Sequence, residues 1–122
     1  TVRLEAMLAS LGDEPIGIAA ITASELLHGA LRGGDAGVRV RRAAFAEAVV
    51  DLVPVLPFGV PEARRHAQLW AELVASGAVI GPHALLVSAT ALARGWGVVT
   101  MSEREFGRVA GLRVVSVAAF LV

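Results

Sequence analysis

Two glutamates stand just beyond short apolar runs, and each has two possible roles. Glu25 follows the run at residues 16–21, and Glu105 follows the run at residues 97–100. On local grounds we favour helix capping, because Thr22-x-x-Glu25 and Ser102-x-x-Glu105 are both capping-box patterns. Two carboxylates at strand ends could instead hold a divalent cation such as Mg²⁺, which prefers hard oxygen ligands. Such an ion polarises a phosphodiester and activates water.

Other familiar catalytic patterns are missing from the sequence. The chain has no cysteine, which excludes disulfides and thiolate metal sites and favours a reducing compartment. The three histidines lack the short spacing of a metal site. Of these, His83 precedes an apolar helix; we predict a partly exposed polar residue, with contact to a phosphate as the alternative. We place Trp70 and Trp96 in the core rather than in a base-stacking role.

The composition fits one globular domain with a large core. The chain has 122 residues, of which 56% are hydrophobic, and its net charge is zero. Mean hydropathy is +0.68, yet charges interrupt every apolar run before the roughly 18 residues that a membrane span needs. We therefore expect a filled core plus a protein interface, and neither a membrane segment nor a signal peptide. The arginines near positions 39–42 and 64–65 could bind RNA or simply form solvated helix faces.

Strands and helices are predicted to alternate, which indicates parallel strands with helical crossovers in a three-layer α/β fold. Strands are predicted at 16–21, 53–58, 97–100 and 112–117, and helices at 2–11, 22–31, 36–51, 61–76, 82–93 and 102–109. On the helix at 36–51 we expect Phe45 and Leu52 to lie inward. Ligands of such sheets bind at the carboxyl ends of the strands. The noteworthy polar residues follow those ends: Thr22, Glu25, Thr100, Ser102 and Glu105.

Several segments, in this order, resemble the PIN-domain toxins of VapBC-type toxin–antitoxin modules. The segment from Gly81 to Ala91 is similar to the central-helix motif Gly-x-x-Asp-x-x-Ile-Ala-Ala-Thr-Ala, and the stretch from Val98 to Phe106 is similar to Val-Thr-x-Asn-x-x-Asp/Glu-Phe. Residues 18–29 resemble the second strand with its Glu-Leu-x-x-Gly helix. Residues 55–58 and 111–114 resemble two later strands. Together these segments extend the resemblance over residues 16–117.

The resemblance implies a PIN-like three-layer α/β/α fold with a short parallel sheet, in one domain over residues 1–122. It implies an endoribonuclease that depends on Mg²⁺ or Mn²⁺, acts on RNA in the cytoplasm, forms a homodimer and is held by a VapB-type antitoxin. Glu25 and Glu105 would be the second and fourth members of an acidic cluster that holds the metal and carries catalysis. Thr22, Thr100 and Ser102 would line the same pocket.

Two departures from the family pattern weaken the expected activity. The third acid should be an aspartate at position 84, where Ala84 offers no ligand atom. The first acid belongs to an opening strand that would precede Thr1, so we expect that residues precede Thr1 in the native protein. We therefore predict a weak or inactive nuclease. One alternative is a catalytically inactive PIN-like module that binds an antitoxin. Another is an unrelated α/β phosphate-binding or structural domain in which both glutamates are caps.

Overall fold

Helices and short strands alternate along residues 17–100 and 103–116, which the computed structural model describes. The strands in these ranges are β1 (Ile18–Ala19), β2 (Val55–Leu56), β3 (Val98–Thr100) and β4 (Val114–Ser116). The helices there are α1 (Ala20–Leu31), α2 (Ala36–Leu52), α3 (Val60–Ser76), α4 (Pro82–Arg94) and α5 (Glu103–Phe106). This order confirms the predicted alternation of strands and helices within these ranges, while the helix predicted at 2–11 lies outside the described residues. None of these helices is long and apolar enough to cross a membrane.

The parallel strands form two separate pairs. Strand β1 pairs with β2, with Ile18 opposite Val55, and β3 pairs with β4, with Thr100 opposite Ser116. Within the described residues the two pairs are not hydrogen-bonded to each other, whereas the sequence predicted one short sheet. Helix α4 contacts both β1 and β3. The central helix therefore joins the two strand pairs into one structure.

Helix α4 lies at the centre of the core, as its sequence predicted. Six of its thirteen residues are buried, and three of these six belong to two apolar clusters. The first cluster comprises Leu69, Leu73, Leu85 and Val109, and the second comprises Ala84, Ala91, Val98 and Phe106. Glycines in the left-handed conformation end α3 and α4, with φ of 73° at Gly77 and 70° at Gly95. These two helix ends confirm the sequence prediction.

The start of α1 differs from the prediction in a way that matters for Glu25. The helix begins at Ala20, and its N-cap, Ala19, makes no side-chain capping hydrogen bond. Thr22 is therefore the third helical residue rather than the cap, and the first predicted capping box is wrong. Strand β2 has only two residues because Pro54 and Pro57 flank it and cannot donate hydrogen bonds to a strand ladder. With so short a partner, β1 ends early and the chain turns into helix sooner.

Three large apolar side chains predicted inside are exposed instead. Phe45 is 59% exposed, Leu52 is 82% exposed and Trp70 is 58% exposed. Helix α2 packs mainly on α1, so one face of α2 is covered and the other is left open. On α3, Leu69 is buried, and the next residue along a helix points about 100° away from its neighbour. The predicted inward positions were therefore wrong for these residues, and they form exposed apolar surface.

Candidate functional site

Glu25 lies on the second turn of α1, where it cannot cap the helix. It is the sixth helical residue after the N-cap, which places it beyond the first four unsatisfied N–H groups of a helix. Its Oε1 lies 3.3 Å from Nδ1 of His83, and the two side chains are about half exposed. The capping role that the local sequence favoured for Glu25 is thus excluded, and its carboxylate faces the start of α4.

Glu105 reaches the same helix from the other strand pair. A β carbon built on Gly81 would lie 3.5 Å from Oε1 of Glu105 and 3.9 Å from its Oε2. The neighbouring Arg108 donates a hydrogen bond from Nη1 to the carbonyl oxygen of Val79 at 2.6 Å, which fastens the loop before α4 to the segment after α5. Ser102 lies outside the described residues, so its capping box with Glu105 and its place in the pocket stay predictions.

Both glutamates therefore contact the first turn of α4. Its N-cap is Gly81, which offers no side-chain hydrogen bond, and Pro82 begins the helix. Thr22 lies one turn before Glu25 on α1 and is half-buried, while Thr100 ends β3 and is also half-buried. Glu25 and Glu105, which follow β1 and β3, thus lie near the start of α4, although the two strands belong to separate pairs rather than to the one sheet that the sequence predicted. No sequence pattern predicted the contact of His83 with Glu25 or that of Arg108 with the loop before α4, because both contacts join residues far apart in sequence.

The residue at position 84 is apolar, and its surroundings are apolar too. Ala84 is 6% exposed and belongs to the apolar cluster that includes Val98 and Phe106. One turn along α4, the Ser88 hydroxyl is fully buried and has no hydrogen-bond partner among residues 17–100 and 103–116. Thr90 satisfies its own hydroxyl by donating to the carbonyl oxygen of Leu86 at 2.8 Å. The buried face of α4 that carries Ala84 therefore offers few polar groups that could bind a metal ion or a substrate.

The donor set fits a hard divalent cation in part. No group of three or more His, Asp or Glu side chains within the described ranges is arranged to hold a metal ion. Mg²⁺ needs fewer protein ligands than that, because it commonly binds through one or two carboxylates and keeps several waters. Glu25 and Glu105 are carboxylates of this kind, and Ala84 contributes none. An Mg²⁺ or Mn²⁺ ion would be held by these two glutamates and completed by water or phosphate oxygens.

The arginines near position 40 have structural partners. Arg39 donates to the carbonyl oxygen of Gly34 at 2.6 Å, and Arg42 donates to that of Arg32 at 2.9 Å. Asp35 caps α2 by accepting from the Val38 N–H at 2.8 Å. These contacts fasten the turn between α1 and α2. They favour the structural explanation of this arginine patch over a dedicated RNA-binding surface.

Known proteins resemble this chain in sequence and in fold. The PIN domain family matches residues 2–112. Ribonuclease VapC1 of Rickettsia felis is 34% identical over 102 residues, which cover 84% of this chain and 76% of that protein. The crystal structure of DNA-bound VapBC from Salmonella typhimurium superposes with a TM-score of 0.83 at 28% identity, covering 95% of this chain and 85% of that one.

A further structure strengthens the likeness. VapBC-5 from Mycobacterium tuberculosis, a member of the VapBC family of toxin–antitoxin systems, superposes with a TM-score of 0.74 at 27% identity. The match covers 82% of this chain and 80% of that one. The fold of these neighbours, together with the parallel strands and central helix described above, confirms the predicted PIN-like α/β/α architecture.

Proposed function

The chain belongs to the PIN domain family, as a VapC-type member, and we propose that it is the ribonuclease toxin of a toxin–antitoxin module with impaired catalysis. The observation that carries this proposal is that Glu25 lies beside His83 and Glu105 lies beside Gly81, both at the start of α4. That turn holds Ala84 at the position where the family motif has an aspartate. The names of the relatives support ribonuclease activity for the family. We propose that this chain descends from such a ribonuclease.

The proposed chemistry is divalent-metal-dependent hydrolysis of RNA. When bound, an Mg²⁺ or Mn²⁺ ion would polarise the phosphodiester and activate water. The chain's own contribution is positional: Glu25 and Glu105 supply oxygen donors from two elements that the core holds in place. Thr22 and Thr100 stand close along the chain to these donors, on the first turn of α1 and at the end of β3, where they can hydrogen-bond substrate or water.

Ala84 is the reason that we propose impaired rather than full activity. A methyl group supplies neither charge nor a ligand atom, so the cation is held by fewer carboxylates and its position is less defined. Catalysis that depends on a positioned ion falls steeply when its supporting ligands are lost. We expect this chain to cleave RNA far more slowly than a relative with the complete acidic cluster.

Two exposed apolar faces support a protein partner and self-association. On α2, Phe45 is 59% exposed and Leu52 is 82% exposed; the two lie seven residues apart on one face, and we assign this face to the antitoxin. On α3, Trp70 and Val74 lie in an open groove with three alanines, Ala67, Ala71 and Ala75, and we assign this groove to a second copy of the chain. Small residues beside a large one let two helices approach closely, so the groove suits helix–helix packing.

A catalytically inactive module that binds an antitoxin is the second candidate, and one experiment separates the two. The chain is purified alone and together with the product of its neighbouring gene, and each sample is tested for RNA cleavage in Mg²⁺ or Mn²⁺. Slow cleavage that Glu25→Gln abolishes supports the impaired nuclease. Absent cleavage together with a stable complex that binds operator DNA supports the binding module. Rapid cleavage sensitive to Glu25→Gln contradicts the proposed impairment.

A further inference from the structure

The alanine groove of α3 continues at its N-terminal side to an arginine. Arg64 stands three residues before Ala67 and seven before Ala71, two of the alanines that line the groove. It therefore lies on the groove face, because residues three and four apart are neighbours on a helix surface. Arg64 is exposed, and within the described part of the chain it forms no hydrogen bond or ion pair. The arginines of the α1–α2 turn, by contrast, donate to backbone carbonyls.

The charges along α3 favour a second copy of the chain in an antiparallel arrangement. Arg64 and Arg65 lie in the first half of the helix, and Glu72 lies in the second half. Two antiparallel copies bring the arginines of each helix towards Glu72 of the other, whereas two parallel copies bring like charges together. Opposite charges across an interface fix its register. The charge pattern therefore fits a twofold axis near the middle alanine of the groove, Ala71.

This arrangement carries Arg64 of the second copy towards the candidate site. Arg64 is seven residues before Ala71 and Ala78 is seven residues after it, so a twofold axis at Ala71 places these two positions opposite each other. Ala78 belongs to the connection between α3 and α4, and Glu105 lies beside Gly81 where that connection ends. Packed helices cross at an angle and their ends diverge, a gap that a long arginine side chain can span.

We propose that Arg64 of a second copy binds the RNA backbone at the rim of the candidate site, so that each site uses residues of two chains. The start of α4 is bordered by the carboxylates of Glu25 and Glu105, which repel a polyanion, and Arg108 there already donates to the Val79 carbonyl. A guanidinium binds phosphate oxygens through paired hydrogen bonds. This inference rests on the site and the homodimer of the proposed function and names a residue that holds the substrate.

The geometry can be tested by cross-linking, because the chain has no cysteine. Chains carrying Arg64→Cys and Val79→Cys are prepared separately, mixed and treated with a short bismaleimide. Val79 follows Ala78 and is 75% exposed, so its position is accessible. We expect a cross-linked heterodimer from the mixture and little product from the Arg64→Cys chain alone. Arg65→Cys points about 100° away on the helix and should link poorly. Dominant self-linking of the Arg64→Cys chain would show parallel helices and overturn the inference.

The phosphate contact is tested by RNA binding rather than cleavage. Fluorescence anisotropy of a short single-stranded RNA is measured over a range of salt concentrations. Arg64→Ala should weaken binding about tenfold, as expected for loss of a charged hydrogen bond. It should also make the slope of log affinity against log salt shallower by about 0.7, the value for one phosphate contact on a single strand. Arg65→Ala should change neither quantity. Circular dichroism confirms that each variant is folded.

A double variant decides whether Arg64 acts from the second copy. In the Trp70→Glu chain, which should be monomeric, Arg64→Ala should cause no further loss of RNA affinity. An equal loss in both backgrounds would place the contact within one chain and overturn the inference, while the site and the homodimer stand. The same conclusion follows if the unaltered chain dimerises and Arg64→Ala binds RNA normally. An unaltered chain that neither dimerises nor binds RNA would overturn both the inference and the proposed function.

Discussion

The carboxylate of Glu105 lies beside the backbone of Gly81, with Oε1 3.5 Å from the place that a β carbon would occupy. The two residues are 24 positions apart in sequence, and the contact brings an acid from the β3–α5 segment to the N-cap of the central helix. A glycine here leaves the carboxylate open to water and to a cation. The absence of a side chain at Gly81 is therefore part of the candidate site.

Gly81→Ala should weaken metal binding while leaving the fold intact. The backbone at Gly81, with φ −64° and ψ 154°, suits alanine, and a methyl group would meet Glu105 at an ordinary contact distance. Alanine is a poorer N-cap than glycine, at a cost of roughly 0.5–1 kcal/mol. The added methyl group displaces water that would complete the shell of a bound ion. Calorimetric titration with Mg²⁺ and Mn²⁺ should show reduced affinity.

Gly29→Ala is a suitable control for that substitution. Gly29 lies inside α1, where an added β carbon meets nothing within 4 Å, so alanine should stabilise the helix by about 0.5–1 kcal/mol. Its metal affinity should match that of the unaltered chain. Unchanged affinity in Gly81→Ala would show that Glu105 does not ligate the ion.

Ala84→Asp should make the stability of the protein depend on Mg²⁺. Without metal, the new carboxylate enters an apolar cluster at a position now 6% exposed, and an unpaired buried charge is costly. The nearby helix N-terminus offsets roughly 0.3–1 kcal/mol of that cost. Mg²⁺ at 100 times its dissociation constant would restore about 2.7 kcal/mol. Thermal unfolding in EDTA and in Mg²⁺ measures both effects, and RNA cleavage should rise in parallel.

The neutral variant Ala84→Asn separates charge from size. It adds nearly the same volume at position 84 without a carboxylate. It should therefore be destabilised in EDTA, and Mg²⁺ should raise its thermal stability very little. If the thermal unfolding midpoint of the Ala84→Asp variant does not change when Mg²⁺ is added, the result would argue against a cation at this turn.

The sequence predicted the helices better than it predicted their environment. Helices α3 and α4 ended where Gly77 and Gly95 indicated, because a left-handed C-cap is a local requirement that glycine meets. The sequence also predicted that Glu25 and Glu105 approach one region, but it attributed this to the edge of a single sheet. In the structure β1 and β3 belong to different strand pairs, and both contact helix α4. These features depend on backbone conformation and chain order.

Other features depended on tertiary structure that the sequence did not reveal. Thr22 and Glu25 match a capping box, yet α1 begins at Ala20 because its strand partner is only two residues long. Phe45 has an apolar side chain, but which face of α2 is covered depends on how the helix packs against α1. The contact of His83 with Glu25 joins two helices far apart in sequence, and no local pattern encodes it.

Glu25→Ala should barely change stability, in contrast to Glu62→Ala. Glu25 caps nothing, and its contact with His83 is half exposed, so we expect a loss below about 1 kcal/mol. Glu62 is 6% exposed, and its Oε1 accepts the Gly59 N–H at 2.8 Å. Removing this acceptor leaves a donor unsatisfied at the start of α3 and should cost about 1–3 kcal/mol. Urea unfolding of both variants gives the comparison, and equal losses would mean that Glu25 has a structural role.

Trp70→Glu should dissociate the proposed homodimer without unfolding the chain. Trp70 is 58% exposed and touches His66 at its edge, with ring centroids 5.9 Å apart, so the monomer loses little packing. In a dimer the same side chain would lie buried against alanines of the second copy, where a carboxylate is strongly unfavourable. Val60→Glu, on the same helix at 61% exposure but outside the groove, should leave the dimer intact. Sedimentation velocity over a range of concentrations measures both, and an unaltered chain that stays monomeric throughout would contradict the dimer.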